Sequence, residues 1–247
     1  MRPFLLLQSR PEEEASEDEY RAFLRFGGLE PHELVRKKLY EQDYDVINLD
    51  DYSGILMGGG PNNFAKLDSH KSPEQRAYED YVLALIEQIV QTDTPFLGVC
   101  LGVGALVTQQ GGHMSFGVSE PVRAVDVRVS ELGASDPLLA GVDQSFRAFV
   151  GHKEGVARLP DSLHLLAGSD ACAQVVRAGN NVYATQYHPE LDADGIALRL
   201  RVYQHAGYCH PDEVDVLVAA AQQEQDIQAP RILENFIERY RSRAPLQ

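Results

Sequence analysis

A cysteine flanked by glycines is the feature of this chain most suited to chemistry. Gly98-Val99-Cys100-Leu101-Gly102 follows a short apolar run and precedes an apolar stretch of helical character. A sharp turn from a strand into a helix needs small residues on either side, and such a turn carries the nucleophile of many hydrolases. It also places the sulfur at the positive end of a helix, which favours the thiolate. The pattern predicts a nucleophilic Cys100, with a buried structural cysteine as the alternative.

A histidine and a carboxylate two residues apart could activate that thiol. Tyr187-His188-Pro189-Glu190 follows an apolar run at residues 182–186. Alternate side chains of an extended strand share a face, so His188 and Glu190 are expected side by side. A histidine can deprotonate a thiol, and a glutamate can fix the tautomer and stabilise the imidazolium. A surface turn is the alternative, and the cysteine elbow favours the catalytic interpretation.

A glycine run supplies the third candidate segment. Gly58-Gly59-Gly60-Pro61 stands at the end of the apolar run at residues 53–57. Because glycine has no side chain, the N–H group of Gly59 or Gly60 could approach an oxyanion closely. The N–H of Leu101 could donate to the same oxyanion. Taken alone, a glycine run after a strand predicts only a turn.

Taken together and in their order along the chain, which is residues 58–61, 98–102 and 188–190, the three segments resemble the class I (triad) glutamine amidotransferase family over about residues 1–195. The likeness is to a stand-alone domain of the glutaminase kind found in GMP synthases. Three further stretches look familial: Asp136-Pro137-Leu138-Leu139, the neighbourhood of His152, and Ala184-Thr185-Gln186.

The resemblance implies a flavodoxin-like core, no cofactor and a defined chemistry. Cys100 would attack the γ-carbonyl of glutamine, and His188 would take the thiol proton and later give it to the departing ammonia. Glu190 would orient the histidine. The N–H groups of Gly60 or Gly59 and of Leu101 would hold the oxyanion, and water would hydrolyse the γ-glutamyl thioester to glutamate.

Two departures from the family pattern leave the substrate open. Glutamine-specific members commonly carry Gln four residues after the nucleophile, where this chain has Gly104. The usual Ser-His-x-Asp segment reads Gly151-His152-Lys153-Glu154. A γ-glutamyl peptidase or hydrolase acting on another γ-glutamyl amide is therefore the alternative enzyme.

The chain lacks the segments that would use ammonia. It has neither a Ser-Gly-Gly-x-Asp-Ser pyrophosphatase loop nor a Gly-x4-Gly-Lys-Ser/Thr phosphate loop. Ammonia would therefore pass to a partner, a separate synthetase subunit. A catalytically idle regulatory or binding subunit is a hypothesis of a different class. The presence of Cys100, His188 and Glu190 together argues against it.

Short apolar runs predict the strands that must position these residues. Residues 4–8 and 53–57 are typical of strands, and residues 33–39 are compatible with a further one. The run at residues 96–99 has no alternation, as expected of a central strand buried on both faces. Residues 18–26 between the first strands are predicted to be helical. Strand–helix–strand units of this length predict a parallel α/β sheet covered on both faces.

The clearest helix signal begins at Ser72. Ser72 is suited to an N-cap, Pro73 to the first helical position and Gln75 to the closing of a capping box. Apolar residues then recur at helical spacing through residues 78–90, and residues 93–95 end the pattern.

The second half of the chain changes character. Residues 122–129 and 163–176 alternate and predict a small antiparallel addition at one edge of the sheet. The last quarter predicts helices at residues 193–205, 212–225 and 231–241.

We expect one domain over residues 1–247, with a core at 1–195, an apparent helical insertion at 198–230 and a closing helix at 231–241. The insertion carries an apolar stripe that we expect to pack on the domain, although a partner or dimer surface stays open. The stripe consists of Val214, Leu217, Val218 and Ala221.

Composition narrows the function classes. The formal charge is −15, from 22 basic and 37 acidic residues, which disfavours binding to nucleic acid or to an anionic membrane surface. The three cysteines are not spaced as metal ligands usually are, so we expect no bound metal. We expect Cys172 and Cys209 to be packing residues. With no apolar run long enough to span a bilayer, the chain is expected to be cytoplasmic. Its oligomeric state is not predicted.

Overall fold

A nine-stranded sheet forms the centre of the molecule. A computed structural model describes residues 2–206 and 209–241. The sheet has the strand order β2-β1-β3-β4-β11-β10-β9-β6-β7, and β5 pairs with β8 in a separate two-stranded sheet. The strands are β1 (Phe4–Gln8), β2 (Leu34–Lys38), β3 (Ile55–Met57), β4 (Phe96–Val99), β5 (His113–Ser115), β6 (Glu120–Val129), β7 (Ser145–His152), β8 (Gly155–Arg158), β9 (His164–Gly168), β10 (Ala173–Ala178) and β11 (Val182–Thr185).

The five strands from β2 to β11 are parallel, and their order is that of a flavodoxin-like fold. β4 lies between β3 and β11 and is buried along its whole length, which confirms the predicted central strand. In such sheets, ligands bind beyond the carboxyl ends of the strands, close to where the strand order reverses. This edge carries the glycine run after β3, Cys100 after β4 and the segment after β11.

The other four strands of the large sheet are antiparallel. β10 pairs with β11 and β9, and β6 pairs with β9 and β7. The predicted antiparallel addition at one edge of the sheet is confirmed, and it lies beyond β11. It continues the main sheet, and β5 and β8 form a smaller antiparallel sheet beside it.

Six helices lie in the described part of the chain, and none of them is both long and apolar enough to cross a bilayer. α1 and α6 pack on one face of the parallel strands, and α2 and α3 on the other. The helices are α1 (Glu13–Gly27), α2 (Pro73–Thr92), α3 (Leu101–Gln109), α4 (Ala193–Val202), α5 (Val214–Gln223) and α6 (Pro230–Tyr240).

The strand period explains this two-sided burial. Phe4 and Leu6 of β1 face α1 and α6, whereas Leu5 and Leu7 face α2 and α3. Both faces are buried, so β1 is apolar at every position except Gln8.

Ser72 accepts a hydrogen bond from the backbone N–H of Gln75, as an N-cap does, and Pro73 begins α2. The predicted capping box is wrong, however. The side chain of Gln75 bonds the carbonyl of Asn63 and the carboxylate of Glu79 instead of the backbone of Ser72.

α4 and α5 cover the antiparallel half of the sheet. Val214, Val218 and Ala221 of the predicted stripe are buried against Phe149 of β7 and residues of α4, with Leu217 half-buried beside them. Gly207 and Tyr208 belong to the predicted insertion and lie outside the described residues.

Candidate active site

Cys100 occupies a one-residue turn between β4 and α3. Its φ of 53° and ψ of −86° lie in a region that residues with a side chain rarely adopt, so the backbone is strained there. The N–H of Cys100 donates to the carbonyl of Thr185 at 2.7 Å, which ties the turn to the end of β11. Leu101 begins α3, so its N–H lies at a helix N-terminus, where it has no acceptor within the helix.

Close packing explains the glycine before the elbow. A Cβ on Gly98 would stand 2.8 Å from the ring of Phe96 and 2.9 Å from the Cα of Gly102. A Cβ on Gly102 would meet nothing within 4 Å, so collision alone does not require that second glycine. Because Gly98 and Gly102 lie so close together, α3 can start directly after β4 and pack against its end.

The glycine run after β3 lies against the same turn. A Cβ on Gly60 would stand 2.9 Å from Leu101, and one on Gly59 would stand 2.9 Å from the His188 ring and 2.6 Å from Arg10 Nη2. Only glycine permits these approaches. The backbone of this run therefore lies between the start of α3 and the histidine.

His188 and Glu190 are in direct contact. His188 Nδ1 and Glu190 Oε1 are 2.7 Å apart, and both side chains are almost completely buried. The reason differs from the predicted one: β11 ends at Thr185, so the two residues do not share an extended strand. The N–H of Leu191 donates to the carbonyl of His188, and this turn brings the two side chains together.

The local charges favour a protonated imidazole. Burial by itself lowers the pKa of His188, but the negative charge of Glu190 and hydrogen bonds to Cys100 and Glu190 outweigh it and raise the pKa to about 9. Burial by itself raises the pKa of Glu190, yet the His188 charge and hydrogen bond outweigh that effect and lower it. His188 lines the same cavity as Cys100, so the histidine with its carboxylate partner and the thiol lie in one region of the molecule.

Two arginines lie beside this carboxylate. Arg10 forms a buried ion pair with Glu19 at 3.0 Å and a hydrogen bond with Tyr203. Arg199 Nη1 donates to Asp18, while its Nε and Nη2 are buried without a partner among the described residues. These groups were not predicted from the sequence, because Arg10 precedes α1 whereas Arg199 lies on α4, far along the chain.

Two cavities meet at Cys100. The first is lined by Gly60, Leu101, Gln186 and the chain at the end of β7, and is called the entry cavity below. The second is lined by His188 and the two arginines and is called the arginine cavity. Its apolar wall consists of Val122, Val150, Leu191, Ile196, Leu200 and the ring of Tyr203.

The entry cavity has a wall that departs from the family pattern. Glu154 accepts hydrogen bonds from the N–H groups of Phe64 and Ala65 at 2.9 and 2.6 Å. A Cβ on Gly104 would stand 2.8 Å from Phe64 and 3.0 Å from Glu154. Phe64 and Glu154 thus occupy the space beside position 104, so a longer side chain has no room there.

Gln186 is a further residue at the sulfur. Its Nε2 lies 3.8 Å from Cys100 Sγ. The strand β11 leads directly into it, and the N–H of Gln186 donates to the carbonyl of Gln174 on the neighbouring strand. The sequence indicated this position only through its likeness to the family.

Comparison with known proteins agrees with this fold. The family model described as "Glutamine amidotransferase class-I" matches residues 31–195. The chain therefore belongs to the class I glutamine amidotransferase family.

Its relatives and structural neighbours carry related names. A subunit of the glutamine-hydrolyzing GMP synthase from Methanoculleus marisnigri is 31% identical over 140 residues, covering 56% of this chain and 65% of the relative. GMP synthase from Crocosphaera subtropica is 27% identical over 162 residues, and the match covers 64% of this chain but only 27% of that protein. A glutamine amidotransferase structure from Thermotoga maritima superposes with a TM-score of 0.76 at 17% identity, covering 98% of this chain and all of that one.

Proposed function

We propose that this chain hydrolyses the γ-amide of glutamine through a thioester on Cys100. The observation that carries the proposal is the buried His188–Glu190 contact of 2.7 Å beside a cysteine in a strained strand-to-helix turn. A single cysteine, histidine or glutamate has many structural uses. This arrangement matches what nucleophilic catalysis requires.

The first half of the reaction forms the thioester. His188 takes the proton of the Cys100 thiol, and the sulfur attacks the γ-carbonyl carbon of glutamine. Negative charge then develops on the carbonyl oxygen, and the N–H groups of Leu101 and of Gly60 or Gly59 stabilise it. His188 passes its proton to the departing nitrogen, so ammonia leaves and a γ-glutamyl thioester stays on the enzyme.

The second half releases glutamate. Water attacks the thioester carbonyl while His188 accepts its proton, and His188 then returns this proton to the sulfur, so Cys100 leaves as the thiol. Glu190 acts through His188: its charge stabilises the imidazolium formed in both halves. The raised pKa of His188 supports this role, because it describes a histidine that holds a proton firmly beside that carboxylate.

We assign the ammonia to a separate synthetase subunit. Two of the relatives are named as one subunit of a glutamine-hydrolyzing GMP synthase, and this supports the assignment, since such a name describes one part of a larger enzyme. The chain spans about a quarter of the length of the longer GMP synthases that it matches. The match therefore covers only part of those proteins.

Intact-protein mass spectrometry after treatment with an electrophilic glutamine analogue tests the proposal. We expect one adduct on the wild type, none on Cys100→Ala, and an undiminished adduct on Cys209→Ala, the matched control for a half-buried thiol away from the site. No wild-type adduct, with Cys100 still open to a simple alkylating agent, would reject free glutamine as the substrate.

A second candidate is hydrolysis of a larger γ-glutamyl amide, and the arginine cavity favours it. The leaving group must lie near His188, which protonates it, and His188 lines the arginine cavity rather than the entry cavity. That cavity is apolar and carries Arg10 and Arg199, so it suits an amine leaving group with an apolar body and an acidic end. A panel of γ-glutamyl amides tests this: faster release of such amines than of ammonia would favour the hydrolase.

A further inference from the structure

A second cluster of cysteine, histidine and glutamate lies beside the entry cavity. It consists of Glu120 at the start of β6, His152 at the end of β7 and Cys172 just before β10. Glu120 and His152 are buried and Cys172 is half-buried. The proposed amidase mechanism uses none of the three. From their geometry we infer a binding site for a divalent transition-metal cation of the Zn²⁺ class.

The spacing of the three donor atoms fits a tetrahedral metal. His152 Nε2 and Glu120 Oε2 are 2.9 Å apart, Cys172 Sγ and Glu120 Oε2 3.4 Å, and Cys172 Sγ and His152 Nε2 3.9 Å. Zinc bonds of about 2.0–2.3 Å give tetrahedral edges of about 3.3–3.6 Å between such donors. Each observed edge is within about 0.5 Å of that range.

The hydrogen bonds of His152 prepare its ring for a metal. His152 Nδ1 lies 2.8 Å from the carbonyl oxygen of Glu154, which can only accept, so Nδ1 carries a proton. In the neutral ring Nε2 then presents a lone pair, and it faces the carboxylate of Glu120 at 2.9 Å. A cation between the two atoms removes that conflict. A backbone carbonyl on the other ring nitrogen is also how metal-binding histidines are commonly oriented.

Gln174 supplies a second, independent observation. Its side chain is fully buried, and its Oε1 has no hydrogen-bond partner within the described residues. Its Nε2 lies 2.6 Å from Glu120 Oε2 and 3.5 Å from Cys172 Sγ. Rotation of the amide by half a turn exchanges the two atoms and presents an oxygen to the cluster. That oxygen, or a water, completes four ligands.

The ligand set selects the class of metal. Thiolate, imidazole and a single carboxylate suit Zn²⁺ or Co²⁺, whereas Mg²⁺ and Ca²⁺ prefer oxygen ligands alone. Binding displaces the thiol proton of Cys172 to the solvent. Because His152 also lines the entry cavity, the metal fixes the wall of that cavity at the end of β7. The ligands are 32 and 20 residues apart, so their spacing in sequence does not reveal the site.

Titration of the full chain with Co²⁺ tests the site. The Cys100→Ala background is used, so that Cys100, His188 and Glu190 cannot bind the metal through a thiolate. We expect one Co²⁺ per chain with a thiolate-to-metal charge-transfer band, displaced by Zn²⁺. The band is expected to disappear in Cys100→Ala/Cys172→Ala and to persist in the matched Cys100→Ala/Cys209→Ala. At a Zn²⁺ concentration 100 times Kd, we expect the Tm to rise by about 5–10 °C.

Two results would overturn the inference: no charge-transfer band in Cys100→Ala, or an equal band after Cys172 is removed. The cluster would then be a buried ion pair of Glu120 with a doubly protonated His152. If the Cys172 variant does not fold, Glu120→Gln in the same background replaces it. We expect its affinity for Co²⁺ to fall at least tenfold, and an unchanged affinity would count equally against the site. The test does not depend on the proposed amidase activity.

Discussion

Substitution of Glu190 by Gln tests the electrostatics around His188 directly. The change removes the carboxylate charge and keeps the size of the side chain. With Glu190 present, the pKa of His188 rises from its usual 6.5 to about 9. That difference of about 2.5 units corresponds to about 3 kcal/mol of preference for the protonated ring. In the variant, burial still lowers the pKa of His188 and Cys100 still raises it, so we expect the histidine to titrate well below pH 9.

The same shift makes a prediction about stability. A histidine with a raised pKa contributes stability that is fully present below pH 6.5 and is lost as the pH rises through about 9. Glu190 has a lowered pKa, so its contribution is present above its unfolded-state pKa and is lost in acid. Between pH 6 and pH 9.5, the wild type should therefore lose more of its free energy of unfolding than Glu190→Gln, by at most about 3 kcal/mol.

NMR titration of the histidine ring signals measures the pKa, with His188→Gln used for the assignment. Urea unfolding at the two pH values measures the stability. Glu19→Gln is the matched control, because Glu19 is also fully buried near this site but does not bond His188. We expect that control to shift the pKa of His188 by less than about 1 unit. A His188 that still titrates near pH 9 in Glu190→Gln would refute the assigned cause.

Three further substitutions probe the packing around the site by urea unfolding. The free energy of unfolding of Gly104→Ala should be unchanged or lower by about 1–3 kcal/mol, because the new Cβ would press on Phe64. An increase of about 1 kcal/mol would contradict that contact. Gly102 lies in the same helix, but a Cβ there would have open space around it. The free energy of unfolding of Gly102→Ala should therefore be unchanged or higher by up to about 1 kcal/mol, because alanine has the better helix propensity. A large decrease would contradict the open space. Asp192→Ala should lower the free energy of unfolding by about 1 kcal/mol, because Asp192 caps α4 by accepting a hydrogen bond from the N–H of Gly195. An unchanged stability would show that the cap is not needed.

Local signals were enough for most of the parallel core. Short apolar runs predicted β1, β3 and β4, because a strand buried on both faces must be apolar at successive positions. The start of α2 followed from Ser72 and Pro73, which act within a few residues of the helix end. The class I family assignment likewise followed from three short segments, and the family comparison confirms it.

Contacts between distant segments could not be read in this way. The capping box at Gln75 failed because that side chain found partners at Asn63 and Glu79, which local pattern does not reveal. The contact of His188 with Glu190 arises in a turn after β11, although alternation along a strand was the reason given for it. Sequence spacing predicted the neighbours but not the backbone that joins them.

Residue types and their order along the chain were sufficient to predict which groups could do chemistry and to place them at one sheet edge. Cys100, His188 and the glycine run each follow an apolar strand, and parallel strands end at one edge, so their order implied one site. The surroundings of that site emerged only from the folded chain. The arginine cavity and the cluster of Glu120, His152 and Cys172 join segments from different helices and strands. Burial and electrostatic interactions depend on which segments are neighbours in space, so the pattern within one segment cannot predict them.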